Sequence, residues 1–491
     1  MPEPWTQIPI EDCLVAYGNG RKIRQGWSPQ CENHPAETLD DWGVLKTSAI
    51  QDGEYVESAN KHIPSKLKPR TQLEVEADDI LITCAGPRAR CGVTCLVRKT
   101  RPKLLISGKM YQLRVDPEII DRHLLELFLR ESGTKKKIDE MKTGISDSGL
   151  NLTHSRFATL EVPLPPLAEQ KRIVSKIEEL FSELDAGEES LRRARRQLGV
   201  YRQALLKQAF EGKLTEQWRK QNPHLLQDPK TLTALIVAKS KRANFRTVQQ
   251  HEIESWSNRC LDELTEFVTS GSRGWADYYS ESGSLFIRAQ NLNRDYLNLD
   301  DIAFVQPPES AEGRRTMVKF GDLLITITGA NTTKAGWVHL PLEDAYVSQH
   351  VALCRPVSDK LSPFLYRYII SESGGRKRLT TDAYGAGKPG LNLDHVRSLV
   401  IPIPSLPEQQ EIVRLLDEQF TVIEQNEREI DAALKRSAAL RQSILKKAFT
   451  GHLVPQDPAD EPASKLLQRI RAEREATAKA PQKNAAKNNK S

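Results

Sequence analysis

The 491-residue sequence has no apolar run approaching the ~20 residues that a membrane-spanning helix needs, so no membrane role is expected. Its opening, MPEPWTQIPI, lacks the basic region and apolar stretch of a secretory signal. Seven cysteines at irregular spacing form no disulfide framework, and a reducing cytoplasm is the expected setting. Cofactor chemistry is equally hard to find. The stretch GAGKPG (Gly385 to Gly390) resembles a phosphate loop, but the required first glycine falls on Asp382 and the final Ser/Thr position is Pro389. There is no glycine-rich strand-to-helix fingerprint for a nucleotide or for S-adenosylmethionine. Nor is there an Asn-Pro-Pro-aromatic motif, since QPPE (Gln306 to Glu309) has the wrong flanks. Cys31-x-x-His34 and Cys91-x-x-x-Cys95 have residue types that suit zinc but lie far apart, so no metal is expected. His154 and His395 occupy matched positions without a nucleophile or carboxylate beside them, which favours packing over catalysis. An enzyme reading is therefore disfavoured, and the chain is expected to be non-catalytic.

What is present is a duplication. At this length two or more cores are expected, and the segment Val162 to Leu214 aligns without a gap on Ile401 to Leu453 at a constant offset of 239 positions. Just upstream, GLNLTHSR (Gly149 to Arg156) is echoed by GLNLDHVR (Gly390 to Arg397). Further back, DDILITCAG (Asp78 to Gly86) resembles GDLLITITG (Gly321 to Gly329), and Trp5 has a counterpart in Trp256. Each half thus runs from a variable region into a helical one.

The helical regions carry a seam with alternating steps of four and three, apart from one step across Gly187. In the first it comprises Ile173, Ile177, Leu180, Leu184, Leu191, Ala194, Leu198, Tyr201 and Leu205. The second reads Ile412, Leu416, Gln419, Ile423, Asn426, Ile430, Ala433, Ser437, Leu440 and Ile444. Ser405 and Glu408 have capping-box spacing, Pro166 and Pro407 sit near the first turns, and Gly212 and Gly451 take the stop positions. Such long helices must bury their stripes against a partner. The sister copy, packed antiparallel about a pseudo-twofold axis, is the simplest one. The seam weakens at Gly187 and Asn426, where two readings stay open: a buried polar residue that fixes register, or a seam turned to solvent. Gly187 also puts the straightness of the first helix in doubt.

The expected fold class is α+β. Two similar α/β domains are separated by two long antiparallel coiled-coil helices, with internal pseudo-twofold duplication. The expected boundaries are 1–161 for the first domain, 162–212 for the first helix and 213–250 for a linker with a short helix at Thr231 to Lys241. The second domain then takes 251–400, the second helix 401–452, and a short helix (Ala463 to Glu473) with a disordered basic tail 453–491. Short β-rich runs such as GVLKTSAI, DILITCAG, SLFIRAQNL, GDLLITITG and AGWVHL alternate with helical stretches at Glu118 to Glu131 and Pro363 to Ser371.

The net charge of +6 permits nucleic acid without demanding it. Loop residues Arg21, Lys22, Arg24, Arg88 and Arg90 in the first domain, and Arg273, Arg314, Arg315, Lys334, Arg376 and Lys388 in the second, are candidates for phosphate or guanine contacts. Gln290, Asn291 and Asn331 are candidate adenine readers. Arg192, Arg193, Arg195 and Arg196, with Lys435 and Arg436, could dock a protein partner or face phosphates; a solvated flank explains them as well.

The run GLNL…VPLPPLAEQKRIVSKIEELF, the ending QALLKQAFEGKL, and their second copies GLNL…IPIPSLPEQQEIV and RQSILKKAFTGHL resemble the conserved helical regions of type I restriction-modification specificity subunits. The resemblance implies two target-recognition domains that each read half of a bipartite site in double-stranded DNA. It implies two methyltransferase subunits that carry S-adenosylmethionine chemistry, and restriction subunits that use ATP and magnesium; this chain itself would need no cofactor. A stand-alone DNA-modifying enzyme is disfavoured by the missing motifs, and a coiled-coil adaptor by the duplicated β-rich domains.

Overall fold

A computed structural model of the chain describes residues 2–18, 20–226, 236, 251–271, 274–306, 315–385, 387 and 389–479. The helix expected at Thr231 to Lys241 falls outside these residues except for Ile236, which is helical and buried, and the tail from Ala480 falls outside entirely. The chain forms two units, Met1–Ser190 with Ala432–Ser491, and Leu191–Asp431. This division cuts through both long helices instead of following their ends. Each half-helix buries its stripe on a globular region and on a half of the other helix, so the cores close across the repeat.

In the first unit a four-stranded antiparallel sheet runs in the order Ile23–Gln25, Met110–Leu113, Ile80–Thr83, Thr94–Leu96. Its apolar strand Ile80–Thr83 is buried on both faces, and the alternation of strand side chains decides where each goes. Ile80 and Ile82 join the core formed with the helix Arg122–Arg130 and the long helices, while Leu81 joins a separate core under a second sheet. That second sheet is ordered Asn60–His62, Gly43–Leu45, Leu104–Leu105, and its last pair is parallel. The second unit repeats this plan. Its sheet is ordered Thr265–Ser270, Val351–Pro356, Leu323–Thr326, Ala335–Trp337; Leu323 and Ile325 face the helices and Leu324 faces away. The companion sheet is Tyr279–Ser280, Ala303–Val305, Ser284–Ile287, Ala345–Val347, again with its last pair parallel. Each buried Leu or Ile in these strands contributes about 1.5–3 kcal/mol. The helices Ser132–Met141 and Gly375–Asp382 are elements that periodicity did not reveal.

The long helices are Leu167–Phe210 and Leu406–Phe449, 44 residues each, about 66 Å at 1.5 Å per residue. They pack antiparallel in both units. In the first, Ser437 Oγ bonds Glu188 at 2.8 Å, and Arg441, later in its helix, reaches back to Asp185 at 2.6 Å. In the second, Arg195 pairs with Asp431 at 2.6 Å and Arg202 with Glu427 at 3.4 Å. Tightly buried seam positions are Ile173, Ile177 and Leu205 in the first helix and Ile412, Leu416, Ile423, Ile430 and Ile444 in the second. Asn426 is exposed, so the solvent-facing reading of the middle holds over the register-setting one. Gly187 is exposed too, and the helix runs through it unbroken.

Both helices end in the same hydrogen-bonded stop. Lys213 N donates to Gln208 O (2.9 Å) and Gly212 N to Ala209 O (3.1 Å), and the second copy repeats this with His452 N to Lys447 O (2.8 Å) and Gly451 N to Ala448 O (3.2 Å). Gly212 and Gly451 take φ of +69° and +78°, and a β-carbon on Gly451 would lie 2.2 Å from Pro2 Cγ. Gly451→Ala should therefore destabilise the first unit by about 1–2 kcal/mol from the left-handed conformation alone. Urea unfolding, with Gly387→Ala in open space as the control, checks this.

Candidate nucleic-acid interface

Each globular region is fixed to the root of a long helix by the same device. A two-stranded antiparallel ladder joins Thr6–Pro9 to Glu161–Leu164, and another joins Ser257–Cys260 to Val400–Ile403. Beside each ladder a buried indole donates to a glutamate in the first helical turn: Trp5 Nε1 to Glu169 Oε2 at 2.9 Å, and Trp256 Nε1 to Glu408 Oε2 at 3.0 Å. The remaining partners differ. Glu169 accepts from Gln456 at 2.6 Å, whereas Glu408 accepts from Thr215 at 2.7 Å and from the Arg219 guanidinium at 2.6 Å. Ser405 Oγ caps Glu408 N at 3.4 Å, as the sequence suggested, but these other partners occupy the carboxylate of Glu408.

A second matched device sets the sheets. Asp79 and Asp322, each 1% exposed, accept from Arg114 (2.9 Å) and Arg355 (2.9 and 2.8 Å). Each also caps a turn, from Glu76 N at 2.8 Å and Lys319 N at 2.7 Å. Burial pushes both carboxyl groups above the ordinary range, against the opposing pull of the paired guanidinium. The residues before them, Asp78 and Gly321, both have positive φ, +74° and +88°. The frame is thus conserved between the copies down to single turns.

The loops are not. Several candidate DNA readers are engaged in hydrogen bonds or ion pairs within the protein. Arg88 pairs with Asp139 (2.6 Å) and Asp147 (3.0 Å), and Arg90 bonds Gln51 (3.2 Å) and the Ile50 carbonyl (2.7 Å). Arg24 bonds the Gln72 carbonyl and lies 3.5 Å over the Tyr17 ring; burial lowers its guanidinium pKa. Asn291 is buried, and its amide bonds Arg288 N (2.9 Å) and the carbonyls of Asn298 and Asp301 (both 3.0 Å), so it has no edge left for adenine. Asn331 is half-buried and bonds the Ala289 carbonyl at 3.3 Å. Lys334 and Arg376 both pair with Asp295, at 2.9 and 3.2 Å. Gln290 is exposed with its amide on Asp301 at 2.8 Å, Lys22 lies 3.8 Å from Asp12, and Arg21 and Arg315 are exposed. Arg273, Arg314 and Lys388 lie outside the described residues.

The sequence reading passed over Lys66, Lys68 and Arg70. They form an exposed basic stretch, SKLKPR, after the strand Asn60–His62, and Arg70 sits 4.8 Å over the Trp27 ring. Alternating cations around a proline next to a strand end were the available signal.

On the helices, Arg192, Arg193, Arg196, Lys435 and Arg436 are exposed, and Arg195 pairs with Asp431 across the seam. His154, which is exposed, lies edge-on to Tyr111 and His395 to Tyr384, with ring centroids 6.3 and 6.1 Å apart. The seven cysteines form no disulfide, and burial pushes the Cys84 and Cys95 thiols up to about 12, which keeps them protonated and unreactive. Cys31 and His34 are not brought into one cluster with Cys91 and Cys95. Among the described residues, no helix is long and apolar enough to cross a membrane.

Comparison with known proteins agrees with this duplicated frame. The family model of the type I restriction modification DNA specificity domain matches residues 43–191 and again 254–436. The chain is 25% identical to the EcoKI specificity subunit of Escherichia coli K12 over 490 residues, 97% of each chain. It is 41% identical to the EcoEI specificity subunit of Escherichia coli over 160 residues, spanning 33% of this chain and 27% of that relative. A solved chain from a type I restriction-modification system superposes with a TM-score of 0.61 at 19% identity, covering 92% of this chain and 99% of the other, which shows a shared fold. With two matched domains on one repeated frame, the chain belongs to the type I restriction modification DNA specificity family.

Proposed function

We propose that this chain is the DNA-reading specificity subunit of a cytoplasmic type I restriction-modification complex, and that it is not itself catalytic. One observation carries the reading. The two domains share strand order, buried Asp–Arg pairs and the Trp–Glu anchor, yet differ in the polar side chains of their loops, as two readers of unlike half-sites on one frame would. Stiff helices between the readers set the unread gap, as dimer geometry does for other bipartite sites. Two methyltransferase subunits, docked on helix faces that carry Arg192, Arg193, Arg196, Lys435 and Arg436, would bring S-adenosylmethionine. Restriction subunits would bring ATP and magnesium chemistry.

Exchanging residues 1–160 for the matching domain of a relative with another target should change one half of the methylated sequence and leave the other intact, as read by sequencing modified DNA. An unchanged methylated sequence sinks the proposal. The exposed stretch is expected to face phosphates. Substituting Lys66, Lys68 and Arg70 together by alanine should lower the slope of log affinity against log salt by up to about 2.7, at about 0.9 per phosphate contact. Fluorescence anisotropy across a salt series with the assembled complex measures it.

A further inference from the structure

The edge strand Asn60–His62 lies beside a turn that carries Glu32 and His34. Two backbone bonds fix these segments: Glu32 N to His62 O at 3.0 Å and His62 N to His34 O at 2.9 Å. On this frame the two imidazoles stack with centroids 5.1 Å apart and planes inclined by 18°. Glu32 Oε2 lies 2.9 Å from His34 Nε2 and 2.7 Å from His62 Nδ1.

The second nitrogen of each ring is informative. His34 Nδ1 is 3.0 Å from the Pro35 carbonyl, which can only accept, so Nδ1 carries the hydrogen. In the neutral ring Nε2 then presents a lone pair to a carboxylate oxygen. That arrangement is repulsive unless Nε2 gains a proton or a cation sits between the two atoms. On His62 the outward nitrogen, Nε2, faces Asp41 Oδ1 at 3.9 Å, and Asp41 is itself held by Thr38 N at 3.0 Å. A carbonyl hydrogen-bonded behind the His34 imidazole, with its other nitrogen turned inward, is the second-shell pattern of a metal-binding histidine, and Asp41 adds a carboxylate near the outward nitrogen of His62.

We propose that Glu32, His34 and His62 form a binding site for a zinc-class divalent cation in the first domain. The three ligand atoms lie within 4.8 Å of one another, and Glu32 and His34 are exposed and can adjust to bonds of about 2.0–2.2 Å. Two nitrogens and one carboxylate oxygen suit zinc or a neighbouring first-row metal over magnesium or calcium, which favour all-oxygen sites. His34 belongs to the Cys-x-x-His pair singled out in the sequence, but its partner is His62 in place of Cys91 or Cys95. Among the described residues no second cluster of this kind occurs. Metal there would pin the turn at 31–34 to the strand from which Lys66, Lys68 and Arg70 extend.

The test uses the purified full-length chain, stripped with chelator and titrated with Co²⁺ and then Zn²⁺. Near one equivalent of Co²⁺ with tetrahedral visible absorption, displaced by Zn²⁺, is expected. Affinity should fall at least tenfold in His62→Ala and in the loop variant His34→Gln, and be unchanged in Cys31→Ser. Circular dichroism confirms that each variant is folded, and His34→Gln stands in if His62→Ala is not. No stoichiometric binding by the parent chain, equal binding by His34→Gln, or loss of binding in Cys31→Ser overturns the assignment. None of these readouts depends on DNA.

Discussion

Replacing Glu408 by alanine is expected to destabilise the second unit by about 3–5 kcal/mol, the cost of removing one partner from a buried ion pair. The Glu408 side chain is fully buried and serves three donors: the Trp256 indole, the Thr215 hydroxyl and the Arg219 guanidinium. Its loss strands a cation that is only 14% exposed, together with two neutral donors. Glu408→Gln keeps an acceptor but loses the charge, and should cost less. The first unit supplies the internal control. Glu169 occupies the equivalent position with Trp5 and Gln456 as its hydrogen-bond donors and, among the described residues, no guanidinium bonded to it, so Glu169→Gln should cost less than Glu408→Gln. Chemical denaturation of the three single variants, followed by tryptophan fluorescence, measures the order. Equal effects at Glu169 and Glu408 would contradict the account.

Truncating Phe210 to alanine is the second large effect, about 3–5 kcal/mol for a buried aromatic. Phe210 is the last residue of the first long helix and packs edge-on against Phe364 and Tyr368, with centroids 5.4 and 5.0 Å away. These belong to the second domain. Its repeat partner Phe449 ends the second helix and packs on Phe128 of the first domain at 5.3 Å. Phe449 is only partly buried and meets one ring instead of two, so Phe449→Ala should cost measurably less. Differential scanning calorimetry should show the Phe210→Ala loss in the transition of the second unit.

The duplication, both long helices and their glycine stops were legible in the sequence, because they rest on periodicity and on backbone conformations that few residues adopt. So were the matched strand runs DILITCAG and GDLLITITG, but not that Ile80 and Leu323 would enter one core while Leu81 and Leu324 enter another. The individual DNA readers were not. A loop arginine looks the same in sequence whether it is free or, like Arg88, held by Asp139 and Asp147. Glu408 shows the same blindness. Its spacing from Ser405 marked a cap, but its carboxylate answers to Trp256, 152 positions away, and Arg219, 189 away. Local pattern identifies an element, and distant partners decide what its side chains do.

The division of the chain into units also fixes an order of completion during synthesis. The second unit is one continuous stretch, Leu191–Asp431, and holds all of its own contacts as soon as that stretch is made. The first unit needs Ala432–Ser491, which supplies Phe449, Gln456 on Glu169 and the Ala463 amide on the Pro4 carbonyl. The domain that leaves the ribosome first therefore waits, with part of its core uncovered, until the last helix arrives, and the domain made second is finished before it.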